Sequence, residues 1–211
     1  MLRLPRGPAH PARTRQRRRA SSVAVTGLAL SLSLSLAAGC SGDDEPEGGD
    51  QPDASGSPSG PPPIETVARL GKVVGPLDQQ GRARLKTKVA DVVDAWLDAA
   101  YLGDFPRTDF SDAFPGFTKG AAADAKADAA LMSNQRFGPD LERVVATRRE
   151  VVVDGLAVRR HAVGATAHFV LAMTLDGGVH RRERVRGRLF LTYDKGAWRV
   201  FGYDVDRGRG R

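Results

Sequence analysis

The residues of this 211-residue chain that could do chemistry are few. The single cysteine, Cys40, closes the run Leu36-Ala37-Ala38-Gly39-Cys40. A thiolate is a strong nucleophile and the one side chain of this type in the chain. Two carboxylates, Glu183 and Asp204, lie among alternating apolar residues, with Arg181 nearby. A carboxylate enclosed by apolar side chains is the kind of group that serves as a general base. The other reading places both at the open end of a sheet, with Arg181 and Glu183 as a solvated pair. Arg182, Arg184, Arg186 and Arg188 fall two apart, so a strand projects all four from one face as planar forks suited to anions. That face binds an acidic partner, contacts a second copy of the chain, or is simply solvated. Trp96, Phe169, Met173 and Trp198 either line a ligand pocket or fill a core. His161 and His168 are seven apart and face opposite sides of a strand, and no cysteine or acid stands at metal-ligand spacing. Neither a metal nor a cofactor is expected, and no phosphate-cradling glycine loop or Gly-x-Ser-x-Gly turn is present.

The formal charge of +7 suggests a nucleic-acid partner until it is divided by region. Residues 1–39 carry seven arginines and no acid, whereas residues 40–211 carry 25 basic and 25 acidic side chains. The whole surplus lies in the leader, and no nucleic-acid partner is expected. Within the neutral remainder, residues 41–140 hold 10 basic and 17 acidic residues, and residues 141–211 hold 15 and 8. Opposite charges on the two halves suit one another within a single fold.

Val23 to Ala38 is a 16-residue apolar run behind the basic segment, short of the ~20 residues a membrane-crossing helix needs. A basic segment, a short apolar run and small residues at its end describe an export signal. Ser21-Ser22 after the arginines of "QRRRASSVAV" favour the general secretory route over twin-arginine export. The run Leu36-Ala37-Ala38-Gly39-Cys40 resembles the lipobox of bacterial lipoproteins, with leucine one place earlier than usual. The resemblance implies a diacylglyceryl group on the Cys40 sulfur, cleavage before it, and a cell-membrane anchor on the extracytoplasmic face. An ordinary secreted protein and an uncleaved anchor are the alternatives. The domain boundaries expected are a signal peptide over 1–39, the lipidated cysteine with an acidic linker over 40–63, and one domain over 64–211. Ser41 to Pro63 has six acids, no base and no large apolar residue, so it is expected to be disordered and to hold the domain roughly 25–30 Å from the lipid.

The elements that must position the candidate residues are legible from periodicity. Ile64 to Leu70 reads as a short helix broken by Gly75-Pro76. Gln79 to Gly103 reads as an amphipathic helix with Leu85, Val89, Val92, Val93, Trp96 and Ala100 on its stripe. Thr118 to Ser133 reads as a second helix capped by Thr118. From Glu142 the period becomes two, with a strand near Arg148 to Val158 and another carrying Phe169, Leu171, Met173 and Leu175 on one face. A three-residue turn at Asp176-Gly177-Gly178 pairs Leu175 with Val179 and Phe169 with Val185. A turn at Lys195-Gly196 pairs Tyr193 with Trp198 and Leu191 with Val200. Continued, that register sets Asp204 opposite Gly187, facing inward with Glu183, and sets Arg199, Phe201 and Tyr203 outward beside the arginines.

The fold class expected is α+β, N-terminal helices on a curved antiparallel sheet. The closing stretch, with Leu189, Leu191, Tyr193, Gly196, Trp198 and Val200, resembles the nuclear transport factor 2-like superfamily. It is similar also to extracytoplasmic lipoproteins and virulence-factor-associated membrane proteins that share this cone. The resemblance implies a pocket between helix and sheet, used in the superfamily by isomerases, dehydratases, hydrolases and many non-catalytic binding proteins. The function expected is a non-catalytic, lipid-anchored module that binds a small apolar ligand or an envelope protein. The alternative is an isomerase- or hydrolase-type enzyme using Asp204 or Glu183.

Overall fold

The computed structural model describes residues 64–210; Cys40, the leader and the acidic linker lie outside the described residues. Five strands form one sheet in the order β1-β2-β3-β4-β5: β1 (Val67–Val74), β2 (Leu141–Val158), β3 (His161–Gly177), β4 (Arg181–Asp194) and β5 (Ala197–Arg209). The helices fall between β1 and β2. They are α1 (Gln79–Leu97), continued by a π-helical turn over Asp98–Leu102, then α2 (Lys119–Ala127) and α3 (Ala129–Met132). The class is α+β, with a mixed sheet.

β1 corrects the expected helix at Ile64 to Leu70. The β-branched Val67, Val73 and Val74 suit an extended chain, and β1 pairs in parallel with β2 from Val67 opposite Glu150 to Val74 opposite Leu156. The sheet is therefore mixed rather than wholly antiparallel. α1 begins where Asp78 caps it, its carboxylate accepting the Gly81 N–H at 2.7 Å. Its stripe of Leu85, Val89, Val93, Trp96 and Leu97 is buried against the sheet. Thr118 caps α2, accepting from the Ala121 N–H. The expected single helix to Ser133 is interrupted at Asp128, whose backbone leaves the helical region.

On the sheet's inner face lie Val151, Val153, Ala167, Phe169, Leu171, Met173, Leu175, Val185, Leu189, Leu191 and Val200, all buried against α1 and its neighbours. The β3–β4 register differs from the expected one by two residues: Leu175 faces Arg181 and Leu171 faces Val185. The cause is β2, whose first residue, Leu141, pairs with Gly177 while the Gly178 N–H donates to the Asp140 carbonyl at 2.7 Å. β3 is held straight through the expected turn, and the connection lengthens. A shift of two preserves every face.

The β4–β5 turn is as expected, with Tyr193 opposite Trp198 and Leu191 opposite Val200. Past that point the register slips. Phe190 pairs with Gly202, so Phe201 has no partner and forms a β-bulge. A slip of one residue reverses the faces of everything beyond it on β5. Tyr203, Val205 and Arg207 turn inward, and Asp204 and Asp206 turn outward.

Candidate functional site

The bulge decides which carboxylate is enclosed. Asp204, expected inward, is exposed and pairs with Arg188 on the outer face. Glu183 stays inward and is 4% exposed. It is sealed by guanidinium groups. Its Oε2 accepts from Arg207 Nε at 2.7 Å, and its Oε1 meets Arg181 Nη2 at 2.6 Å. Arg207 is fully anchored: it donates to the carbonyls of Ser133 (2.6 Å) and Ala130 (3.2 Å) and to Asn134 Oδ1 (2.7 Å). Asn134 is itself buried and donates to the Tyr101 carbonyl at 2.8 Å. Tyr101 is fully buried with its hydroxyl donating to the Leu131 carbonyl, and burial pushes its phenol far above the ordinary tyrosine range. Each Glu183 oxygen meets a guanidinium group, so the carboxylate is committed to charge pairing in this structure. The arrangement ties β4 and β5 to the segment after α3.

Sequence reading missed Arg207, Asn134 and Tyr101. Without the bulge, the expected register would put Arg207 on the outer face with Arg199, Phe201 and Tyr203. The one available signal was Asn134, the only asparagine in the chain.

Of the expected pocket residues, Trp96, Phe169 and Met173 are buried in the core. Trp96 stacks edge-on against Phe169 at 5.1 Å and Tyr101 at 5.5 Å. Trp198 belongs to the same core, at 8% exposed, but it also borders a surface hollow. With Tyr193, 5.5 Å away and half exposed, it walls a mouth between the start of α1 and the tips of the β2–β3 and β4–β5 hairpins. The mouth encloses about 340 Å³. Leu77, Leu85 and Val163 complete an apolar wall, while Arg84, Lys88, Arg160 and His161 stand around it. The β2–β3 tip holds Arg159 and Arg160 at φ 51° and 66°, which side-chain-bearing residues adopt uncommonly. A two-residue hairpin turn demands that conformation, and it points the chain of Arg160 to the mouth's edge.

The outer face of the sheet carries Arg182, Arg184, Arg186 and Arg188, as their spacing requires. Two of them are neutralised by acids that the bulge brings round: Arg186 by Asp206 at 3.1 Å and Arg188 by Asp204. Arg148 pairs with Glu150 at 2.8 Å, which holds the Glu150 carboxyl below its ordinary range. His168 meets Asp154 at 3.1 Å. Towards the hairpin end this face becomes apolar, a groove of about 450 Å³ bounded by Val74, Leu156, Phe190 and Phe201. Among the described residues no three His, Cys, Asp or Glu side chains stand close enough to hold a metal ion, and no helix is long and apolar enough to cross a membrane.

Comparison with protein-family models, with curated proteins and with solved structures finds no match to this chain.

Proposed function

We propose that this chain is a lipid-anchored, extracytoplasmic binding module whose helices and sheet form a nuclear transport factor 2-like cone. Its Cys40 thiol carries the anchor, and its folded part takes a small apolar ligand, or an apolar segment of an envelope partner, at the mouth beside Trp198. The observation that carries the reading is a contrast within one structure. The enclosed carboxylate, Glu183, is saturated by Arg181 and Arg207, whereas the mouth at Trp198 is open and walled by apolar and aromatic side chains. Its volume of about 340 Å³ is that of a small-molecule site. Asp204 lies outward in an ion pair and both Glu183 oxygens meet guanidinium groups, which favours binding over the isomerase- or hydrolase-type alternative.

Two measurements test it. Intact mass of the protein from its own membrane should match residues 40–211 plus a diacylglyceryl group, and the Cys40→Ala form should lack that species. A secreted, unmodified protein would refute the anchor. The naphthalene dye 8-anilinonaphthalene-1-sulfonate should fluoresce on the folded chain and quench Trp198, and Trp198→Ala should abolish most of the signal. Undiminished binding by that variant would remove the mouth as the ligand site.

A further inference from the structure

Another hollow, of about 380 Å³, opens at the far end of β4 and β5 from the mouth. Its wall includes Arg136, Arg181, Arg207 and Arg209, with Glu183 as the one acid. Four guanidinium groups thus face one carboxylate. Glu183 is already divided between Arg181 and Arg207, and Arg207 is held by three further acceptors. Among the described residues, Arg136 and Arg209 form no ion pair, and the Arg181 Nε is buried without an acceptor. Clustered like charges with a single counter-charge are unfavourable unless something else supplies the anion.

Three of the four guanidinium groups are also restrained before any ligand arrives. The ring of Phe137 lies beneath three of them: Arg181 at 4.4 Å, Arg207 at 5.3 Å and Arg136 at 5.6 Å. Stacking on an aromatic face fixes the plane of each fork and reduces the entropy lost on binding. The hollow continues around the end of β5, where Arg209 also borders a concavity with Arg184, Arg186 and Asp206.

We propose that this hollow is an oxyanion site for a phosphate group, with Arg181, Arg136 and Arg209 as its donors. A phosphate offers several acceptor oxygens to planar forks that present paired donors, the geometry in which arginine exceeds lysine. The Glu183–Arg207 pair forms its floor: it fixes Arg181 and takes no part in binding. The phosphate is either free or borne by a phospholipid headgroup. The site does not depend on the mouth beside Trp198.

The full-length chain in non-ionic detergent tests this, titrated separately with inorganic phosphate and with the short-chain lipid dihexanoylphosphatidylglycerol, against sodium chloride at matched ionic strength. Arg136→Ala with Arg209→Ala is the informative variant, since both side chains are exposed and outside the buried network. Saturable binding of either ligand, weakened about tenfold or more in the double variant, is the result expected; a loss of about 1.4 kcal/mol corresponds to that factor. Binding of inorganic phosphate identifies a free phosphate as sufficient, and binding of the lipid alone identifies the headgroup. No saturable binding of either ligand, or equal binding by wild type and double variant, overturns the proposal. Circular dichroism of the variant distinguishes a lost site from a lost fold, and an unfolded double variant is replaced by the Arg209→Lys single variant. That variant keeps the charge but loses the fork and should still bind more weakly.

Discussion

Replacing Glu183 by glutamine tests the reading of the buried cluster most directly. Glu183 and Arg207 have side chains 4% and 7% exposed, joined at 2.7 Å. The glutamine amide keeps one acceptor oxygen but turns an NH₂ group towards the second guanidinium, donor against donor. Arg207 stays buried with its charge no longer balanced. Breaking a buried pair by removing one partner costs about 3–5 kcal/mol, because the remaining charge is still desolvated. With a urea slope of about 2 kcal/mol/M, the unfolding midpoint should fall by about 1.5–2.5 M. Asp206→Asn provides the control. Its pair with Arg186 has the same charges, but both side chains are more than half exposed, so the loss should stay under about 1 kcal/mol. Urea unfolding followed by tryptophan fluorescence measures both. A Glu183→Gln protein within about 1 kcal/mol of wild type would refute the claim that the pair is a buried structural tie. A more stable Glu183→Gln protein would restore the alternative of a strained catalytic carboxylate, since active-site groups are often held at a cost to stability.

Other predictions follow from single contacts. Deleting Phe201 removes only the extra residue and leaves Gly202 opposite Phe190 and Tyr203 opposite Leu189, so Tyr203 and Arg207 should stay inward and the deleted chain should keep a cooperative transition in calorimetry; loss of cooperative unfolding would contradict this account of the bulge. Gly187→Ala should destabilise the domain by several kcal/mol, since a Cβ there would stand 2.1 Å from the Asp204 carbonyl oxygen at φ +155°; a melting temperature equal to wild type would contradict it. The Glu150 carboxyl should titrate below the ordinary glutamate range by NMR, mainly because Arg148 hydrogen-bonds it. The stabilisation it contributes is present at neutral pH and fades as acid protonates it, and Arg148→Ala should return its titration to the ordinary range. Thr118→Ala should cost about 1 kcal/mol by removing the α2 cap, readable in the same urea assay.

Much of the architecture was legible in the sequence for a local reason. Side-chain direction in a strand alternates with period two, so the buried faces of β3 and β4 followed from Phe169, Leu171, Met173, Val185, Leu189 and Leu191 without knowledge of their partners. The error in the β3–β4 register did no harm to those faces because it was an even number. α1 was legible because one stripe of a 3.6-residue period had to be buried, and the cap at Thr118 because its side chain answers a neighbouring backbone N–H. The division of charge between residues 1–39 and the remainder is likewise a property of the sequence alone.

The tertiary structure decided what depends on a distant partner. β1 is extended because β2 offers it hydrogen bonds 83 positions away, at Val67 opposite Glu150. The single unpaired residue at Phe201 exists only in relation to β4, yet it exchanges Asp204 for Arg207 on the inner face. It thereby makes Glu183 a sealed ion pair rather than an available base, and it gathers the guanidinium groups around Phe137. Periodicity is set by each residue's own backbone, whereas register and bulges are set by hydrogen bonds between segments far apart in the chain.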